Sequence, residues 1–452
     1  MSNWNQVCNA GVLCAALAIA DEEPELARQI IAGARASIPR GMTVYAPDGE
    51  HPEGPGYWTF GTTYTVIALA ALESALGNDL DLSNAPGFAR TTDFPIIVQG
   101  PSGRAFNFAD CTEDEQNSPA RAWLAHRFSR PTAMRATRAL LDESLRLEKI
   151  TPFDPKIQGQ VVNRFFPLHA VWFPAEPATS DGSDMPLDTH LRGVADLAIF
   201  RSSWTDPRAL YVGFKAGENA YRHNHLDLGS FVLDADGVRW ATDLGPDVYE
   251  LPGIFDYKGT ARWEFFRINN RSHNTVTPGD ALQRRKVTAP ITTFVSTPAK
   301  AFAIANLAPA YPDEAKSLLR GIALLDRKRV LVQDEFTPTR PAIPLRWIMM
   351  TRATISLDES GRTATLSLEG RTLKAELLTP SNARFTIQSA TPPTAAENQK
   401  LGLRPSDHRL HTRFFRHSDT PRSPLHARFC REQRRALTGF ATADGLEVTT
   451  SV

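Results

Sequence analysis

The chain has 452 residues, 42% of them hydrophobic and 22% charged, an ordinary globular composition with room for about two or three domains and a core that needs no disulfides. Fifty Lys and Arg balance fifty Asp and Glu, so the global charge advertises neither nucleic acid nor membrane as a partner, although a local basic cleft remains compatible with it. No apolar run approaches the roughly 20 residues of a membrane span, and the opening MSNWNQVCNAG shows no charged segment ahead of an apolar one, so no secretory leader is visible.

Residues 1–150 read as helices. Asn3 to Ala20 is rich in Ala and Leu, and Glu23 to Ser37 sets Leu26, Ile30 and Ala34 at intervals of four on one face. A Pro/Gly-rich loop, HPEGPGYW, leads into a helix over Thr62 to Leu76. Gly100 to Asn117 reads as loop, ahead of helices over Pro119 to Phe128 and Pro131 to Leu147, each with Pro in its first turn. Residues 151–196 form a proline-punctuated linker.

From Leu197 the signals are strands. LAIFRSSW, ALYVGFKAG, SFVLDADGVRWATDLG and GIALLDRKRVLVQDEF are β-branched or aromatic runs between turn residues, with Asp236-Gly237 as a hairpin turn. Helices first and strands afterwards predict an α+β chain, helical over 1–150 and antiparallel β over 197–452, and argue against an alternating βαβ sheet. The arginine-rich stretch 402–435 shows little alternation and reads as a solvated, irregular edge. Cys8, Cys14, Cys111 and Cys430 have no paired spacing and read as buried free thiols.

The densest polar constellation is Arg222-His223-Asn224-His225-Leu226-Asp227. Its two histidines are one residue apart, so on a strand they share a face. Asp243 ends the second strand of the Asp236-Gly237 hairpin, which folds it back towards the histidines, and His273-Asn274-Thr275-Val276 opens a further strand. Two or three imidazoles and a carboxylate suit a divalent ion. The spacing is no standard zinc signature, and a hydrogen-bonded polar patch explains the same residues equally well.

HNHLDLGSFVLDADGVRWATDLG, followed by RINNRSHNTV, closely resembles the core of the heparinase II/III-like polysaccharide lyases, a family that includes alginate and oligoalginate lyases. The resemblance implies an N-terminal (α/α) toroid followed by a C-terminal antiparallel β-sandwich. It implies His225, Asp243 and His273 as ligands of a divalent metal, zinc first with Mn2+ or Ca2+ as alternatives, and His223 facing the substrate cleft. NWNQVCNAG resembles the family's Asn-bearing helix, which points to Asn3, with Asn5 second, as the group that neutralises a uronate carboxylate. Trp4 stands where several relatives carry a His.

DGEHPEGPGYWTFGTTY resembles the EGPxY segment, which makes Tyr57 the catalytic Tyr and keeps Tyr64 in reserve at the substrate. Relatives place a second cleft-facing Tyr between Asp243 and His273, where Tyr257 has the closer spacing and Tyr249 lies nearby. Arg262, Arg267 and Arg271 are either bidentate binders of carboxylate or sulfate, or surface charges on strands. The implied activity is β-elimination on an acidic, uronic-acid-containing polysaccharide, in a family of typically periplasmic or secreted bacterial proteins. Two other readings stand beside it. One is a metal-dependent glycan hydrolase whose His/Asp cluster activates water. The other is a truncated, non-catalytic glycan-binding protein, because five helices make only part of a toroid.

Overall fold

In the computed structural model, which describes residues 3–114, 117–150, 165–174, 185–390, 408–414 and 423–431, helices precede strands along the chain. The principal helices are α1 (Trp4–Ala18), α2 (Pro24–Met42), α3 (Gly54–Leu76), the short α4 (Phe94–Ile97), α5 (Ala120–Arg127) and α6 (Pro131–Ile150). Helix α1 packs on both α2 and α3. Glycines permit the close approach: a Cβ at Gly41 of α2 would meet Asn5 Oδ1 at 2.4 Å, and one at Gly61 of α3 would meet Gln6 Oε1 at 2.4 Å. The buried face of α2 carries Ala27, Ala34 and Ile38, while Leu26 is exposed. The inward stripe is therefore rotated by one residue from the Leu26–Ile30–Ala34 reading, because small alanines face the close helix packing.

Helix α3 starts eight residues before the expected Thr62. Pro55 occupies its first turn, where a missing N–H costs nothing and the fixed φ suits the helix. Five of the eight residues of the Pro/Gly-rich loop HPEGPGYW are thus helix, which places Tyr57 on a rigid element. Gly77 closes α3 in the left-handed conformation, φ 76°.

Strand β1 (Asp188–Leu191) begins the β region nine residues ahead of the expected Leu197, and the helical turn α7 (His169–Trp172) stands within the expected linker. The remainder of that linker, 151–164 and 175–184, lies outside the described residues. A five-stranded antiparallel sheet runs β1, β2 (Leu197–Arg201), β3 (Tyr211–Lys215), β5 (Phe231–Ala235), β6 (Val238–Ala241). The two-residue strand β4 (Gly217–Glu218) pairs with β8 (Thr288–Ala289).

An eight-stranded sheet runs β14 (Thr354–Leu357), β15 (Thr363–Leu368), β16 (Arg371–Thr379), β19 (Ser423–Arg431), β12 (Arg329–Pro338), β11 (Ala315–Leu325), β10 (Lys300–Asn306), β9 (Ile291–Ser296). A four-stranded sheet runs β17 (Phe385–Ser389), β18 (His408–Phe414), β13 (Leu345–Thr351), β7 (Val276–Pro278). Over 408–414 and 423–431, strands β18 and β19 correct the expectation of an irregular edge, since both are interior strands paired on each side; 402–407, 415–422 and 432–435 lie outside the described residues. Ladder hydrogen bonds from two neighbours hold a strand whose sequence alternation is weak.

Two cores meet at the five-stranded sheet. On one face Phe200, Phe214 and Trp240 pack with Trp347, Leu324 and Val332 of the other sheets. On the opposite face Ile199, Tyr211 and Val232 pack with Trp58, Phe94 and Phe106 of the helical region. Cover on both faces explains why every residue of β2, β3 and β5 is buried and why these strands read as continuous apolar runs. Of the cysteines, Cys111 is buried, Cys14 half-buried and Cys8 exposed, all as free thiols; the Cys430 side chain is outside the described residues. Among the described residues no helix is long and apolar enough to cross a membrane.

Candidate active site

The β5–β6 turn carries Asp236 at φ 56° and Gly237 at φ 79°. Two positive φ values in a two-residue loop match the twist of the flanking strands, so the hairpin is tight and returns Asp243 beside the start of β5. His273 lies three residues before β7. Its Nδ1 is 2.7 Å from Asp243 Oδ2, and its ring centroid is 5.2 Å from that of His225. One ligand atom from each of His225, Asp243 and His273 lies within 4.8 Å of the others, the one such group among the described residues.

Buried cross-ties hold these segments together. Arg320 of β11 donates to Gly229 O at 2.8 Å and Asn274 O at 2.9 Å, and its remaining donors meet Asp334. Asn274 donates to Phe231 O and Thr242 O and accepts from Met350 N–H. Every one of these groups is buried, where an unmade hydrogen bond costs about 1–3 kcal/mol. His225 Nδ1 and His273 Nε2 are the exceptions, buried without a partner. Two imidazole nitrogens without a hydrogen-bond partner beside a buried carboxylate are a donor set that fits a divalent ion. Burial pushes the Asp243 carboxyl up, but His273 and His225 outweigh it and hold the carboxyl below its ordinary value. Burial pushes His225 down.

The His223–His225 pair is not on a strand. It lies in the loop between β4 and β5, with His223 in the left-handed region at φ 61°. What fixes the pair is a residue far away in sequence. Asp110, in the loop between α4 and α5, places Oδ2 2.8 Å from His223 Nδ1 and Oδ1 2.9 Å from His225 Nε2. Its backbone N–H donates to His223 O at 2.9 Å. Arg262, on the helical turn α8 (Ala261–Glu264), reaches both Asp110 oxygens at 3.0 Å and also bonds Ile254 O and Asn224 O. Burial pushes the Asp110 carboxyl up, but the His223 and His225 hydrogen bonds and the Arg262 charge outweigh it and hold the carboxyl well below the usual range. Arg262 is therefore neither a strand-surface charge nor an open substrate binder.

Around His223 the walls are aromatic. Tyr57, in the first turn of α3, stacks on its ring at 4.2 Å, and Tyr57 Oη is 2.7 Å from Tyr249 Oη. Tyr249 Oη lies 3.5 Å from His223 Nδ1, and the Tyr257 ring is 6.2 Å from the imidazole. Phe255, 49% exposed, meets the Tyr249 ring edge-on at 4.9 Å. Burial pushes the Tyr57 phenol up to about 12, with the Tyr249 hydrogen bond acting against it. Tyr249 and Tyr257 are also pushed up by burial.

Asn3 donates to Glu53 Oε2 at 2.6 Å, which ties the start of α1 to the residue just before α3. Glu53 is buried with Oε1 unpartnered, and burial raises its carboxyl. Asn5 instead donates to Ser37 of α2. Tyr64 stands two turns along α3 from Tyr57, between Phe60 and Phe165. Arg267 donates to Leu244 O and Pro246 O, and Arg271 to Asp280 O. Sequence reasoning missed Asp110 and Glu53. The bond from Asp110 to His223 spans 113 positions, so no local spacing signals it.

Residues 192–420, half of the chain, match the family model described as heparinase II/III-like, C-terminal. Among solved structures, a heparan sulfate lyase from Pedobacter heparinus matches with a TM-score of 0.62 at 15% identity, covering 95% of this chain and 60% of that one. A heparinase III matches with a TM-score of 0.62 at 12% identity, covering 93% of this chain and 60% of that one. The chain thus spans about 60% of the length of these structures. The shared architecture is the helical toroid followed by an antiparallel β-sandwich. None of the curated proteins matches.

Proposed function

The chain belongs to the heparinase II/III-like family, and from that premise we propose that it is a polysaccharide lyase that cleaves uronic-acid-containing glycans, of the glycosaminoglycan or alginate kind, by β-elimination to 4,5-unsaturated products. The observation that carries the reading is the stack of Tyr57 on His223 at 4.2 Å, with Tyr57 Oη bonded to Tyr249 Oη. It sets a phenol and an imidazole side by side where the helical and β regions meet.

Elimination removes the proton on C5 of a uronate, next to its carboxylate, and expels the oxygen on C4. An ionised carboxylate makes that proton weakly acidic, because the intermediate gathers a second negative charge. Preorganised donors must neutralise it. The assignment gives that task to Asn3, at the start of α1. His223 takes the C5 proton, with Tyr257 as the alternative base. Tyr57 gives a proton to the leaving O4, a role suited to a phenol that burial keeps protonated. Tyr249 hydrogen-bonds Tyr57 and orients it.

A divalent ion, zinc first, would be held by His225, Asp243 and His273. It would supply a fixed positive charge that joins the histidine loop, the β5–β6 hairpin and the start of β7. All three ligands are buried, which suits a structural ion better than the open coordination position a hydrolase needs. Incubation of zinc-loaded protein with heparan, chondroitin, hyaluronan and alginate tests the proposal. At least one polymer should yield a rise in ultraviolet absorbance from the new double bond. Folded, metal-loaded protein with no rise on any of them contradicts it.

A further inference from the structure

Asp110 stands outside the chemical steps above, yet it hydrogen-bonds both histidines of the pair. Its side chain is fully buried, and Arg262, also fully buried, contributes the same nitrogen to both oxygens. A carboxylate paired in this way is an acceptor only, so each imidazole nitrogen facing it must carry a hydrogen. We infer that Asp110 is a positioning residue that sets the tautomers of His223 and His225 together, placing hydrogen on Nδ1 of the first and Nε2 of the second.

The two lone pairs then fall on opposite ring atoms. His223 keeps a free Nε2, the basic nitrogen a proton-abstracting imidazole needs. His225, one of the group with Asp243 and His273, keeps a free Nδ1, the buried atom that has no hydrogen-bond partner. The second hydrogen bond of a ligating histidine fixes which nitrogen is left for the ion. The Asp110 N–H bond to His223 O and the left-handed φ of His223 show that the backbone is held by the same contact. One carboxylate from the helical region therefore prepares both the base and the metal ligand of the β region.

The catalytic half of this inference rests on the lyase reading; the tautomers do not. The test is the nitrogen NMR spectrum of the imidazoles in full-length, metal-free protein with labelled histidine, assigned through His223→Gln and His225→Gln. The expected result is a hydrogen on Nδ1 of His223 and on Nε2 of His225. The reverse tautomer at either position overturns the inference, and this measurement needs no variant of Asp110.

Asp110→Asn supplies the second arm. An amide offers one acceptor and one donor where two acceptors stood, so at least one imidazole must reverse. Zinc affinity should fall about 10–100-fold, as for other outer partners of ligating histidines. Turnover should fall at least about 100-fold with KM little changed. A folded Asp110→Asn protein with unchanged tautomers, zinc affinity and kcat refutes the assignment. Should the wild-type spectrum and zinc affinity behave as expected while no uronate polymer is cleaved, the lyase reading falls and the tautomer assignment stands.

Discussion

His225, Asp243 and His273 sit on segments cross-tied by buried Arg320 and Asn274, whereas Tyr57 and Asp110 reach His223 from two separate pieces of the helical region. The β wall is one hydrogen-bonded block backed by the larger core. The helical wall depends on how its pieces dock. Polar clamps at the boundary do that docking: Asp48 holds Arg192, Glu50 accepts from Val194 N–H at 2.8 Å, Arg201 donates to Ile96 O and Ile97 O, and Asn107 reaches Asp243 O. The contrast teaches that the three candidate metal ligands all come from the β region, while the proposed proton-transfer groups come from both sides of the boundary and Asp110 touches both sets. Tyr57 and His225 therefore allow each wall to be broken by itself, whereas Asp110 couples the two.

Tyr57→Phe should have the largest effect. It removes the proposed acid and the bond to Tyr249, so kcat should fall about 100–10,000-fold, while zinc affinity measured by chelator competition stays that of wild type. Loss of zinc with Tyr57 would erase the distinction between the walls. His225→Ala is the complementary break. Wild-type protein should gain about 2.7–4 kcal/mol of stability in zinc at 100–1,000 times its Kd, read as a zinc-dependent rise in Tm. His225→Ala should show no such rise.

The boundary itself should respond to pH through Glu50. Burial pushes this carboxyl up to about 8 from an ordinary value of 4.5, with the Val194 and Ala195 N–H groups acting against it. The folded state therefore holds a proton that the unfolded state releases above pH 4.5. Stability from this group is full below pH 4.5 and is lost progressively as pH rises to about 8, a decline on the order of a few kcal/mol. Glu50→Gln should flatten the fall in Tm between pH 5 and 8.5, and an unchanged slope would remove Glu50 as its cause. The smallest effect belongs to Gly61→Ala. Its new Cβ would meet Gln6 Oε1 at 2.4 Å and Asn3 Cβ at 3.2 Å, so α1 must shift. The expected cost is about 1–3 kcal/mol of stability with a higher KM for polymer and unchanged zinc binding.

Sequence signals were legible where they are local. The Asp236-Gly237 turn, the return of Asp243 and the position of His273 before a strand all follow from short-range patterns, and the structure places them together. The order of helices then strands follows from periodicity. The start of α3 was hidden because Gly and Pro punctuate loops, although Pro55 suits a first helical turn. Reading the His223–His225 pair as a strand failed because His223 takes a left-handed φ that Asp110 secures from 113 residues away. Strands β18 and β19 were missed because their neighbours' ladders hold them in place of a visible alternation. For Arg262 the sequence left an anion binder and a surface charge equally open, and its fully buried bond to Asp110 makes it neither.

Elimination and hydrolysis at this boundary leave different atoms at the cut. The direct measurement is mass spectrometry of the products of a uronate polymer digested in water labelled with heavy oxygen. Elimination should give new non-reducing ends lighter than hydrolytic ends by one water and free of heavy oxygen, and Tyr57→Phe should give no such products. Fragments of full hydrolytic mass carrying the heavy oxygen would contradict it.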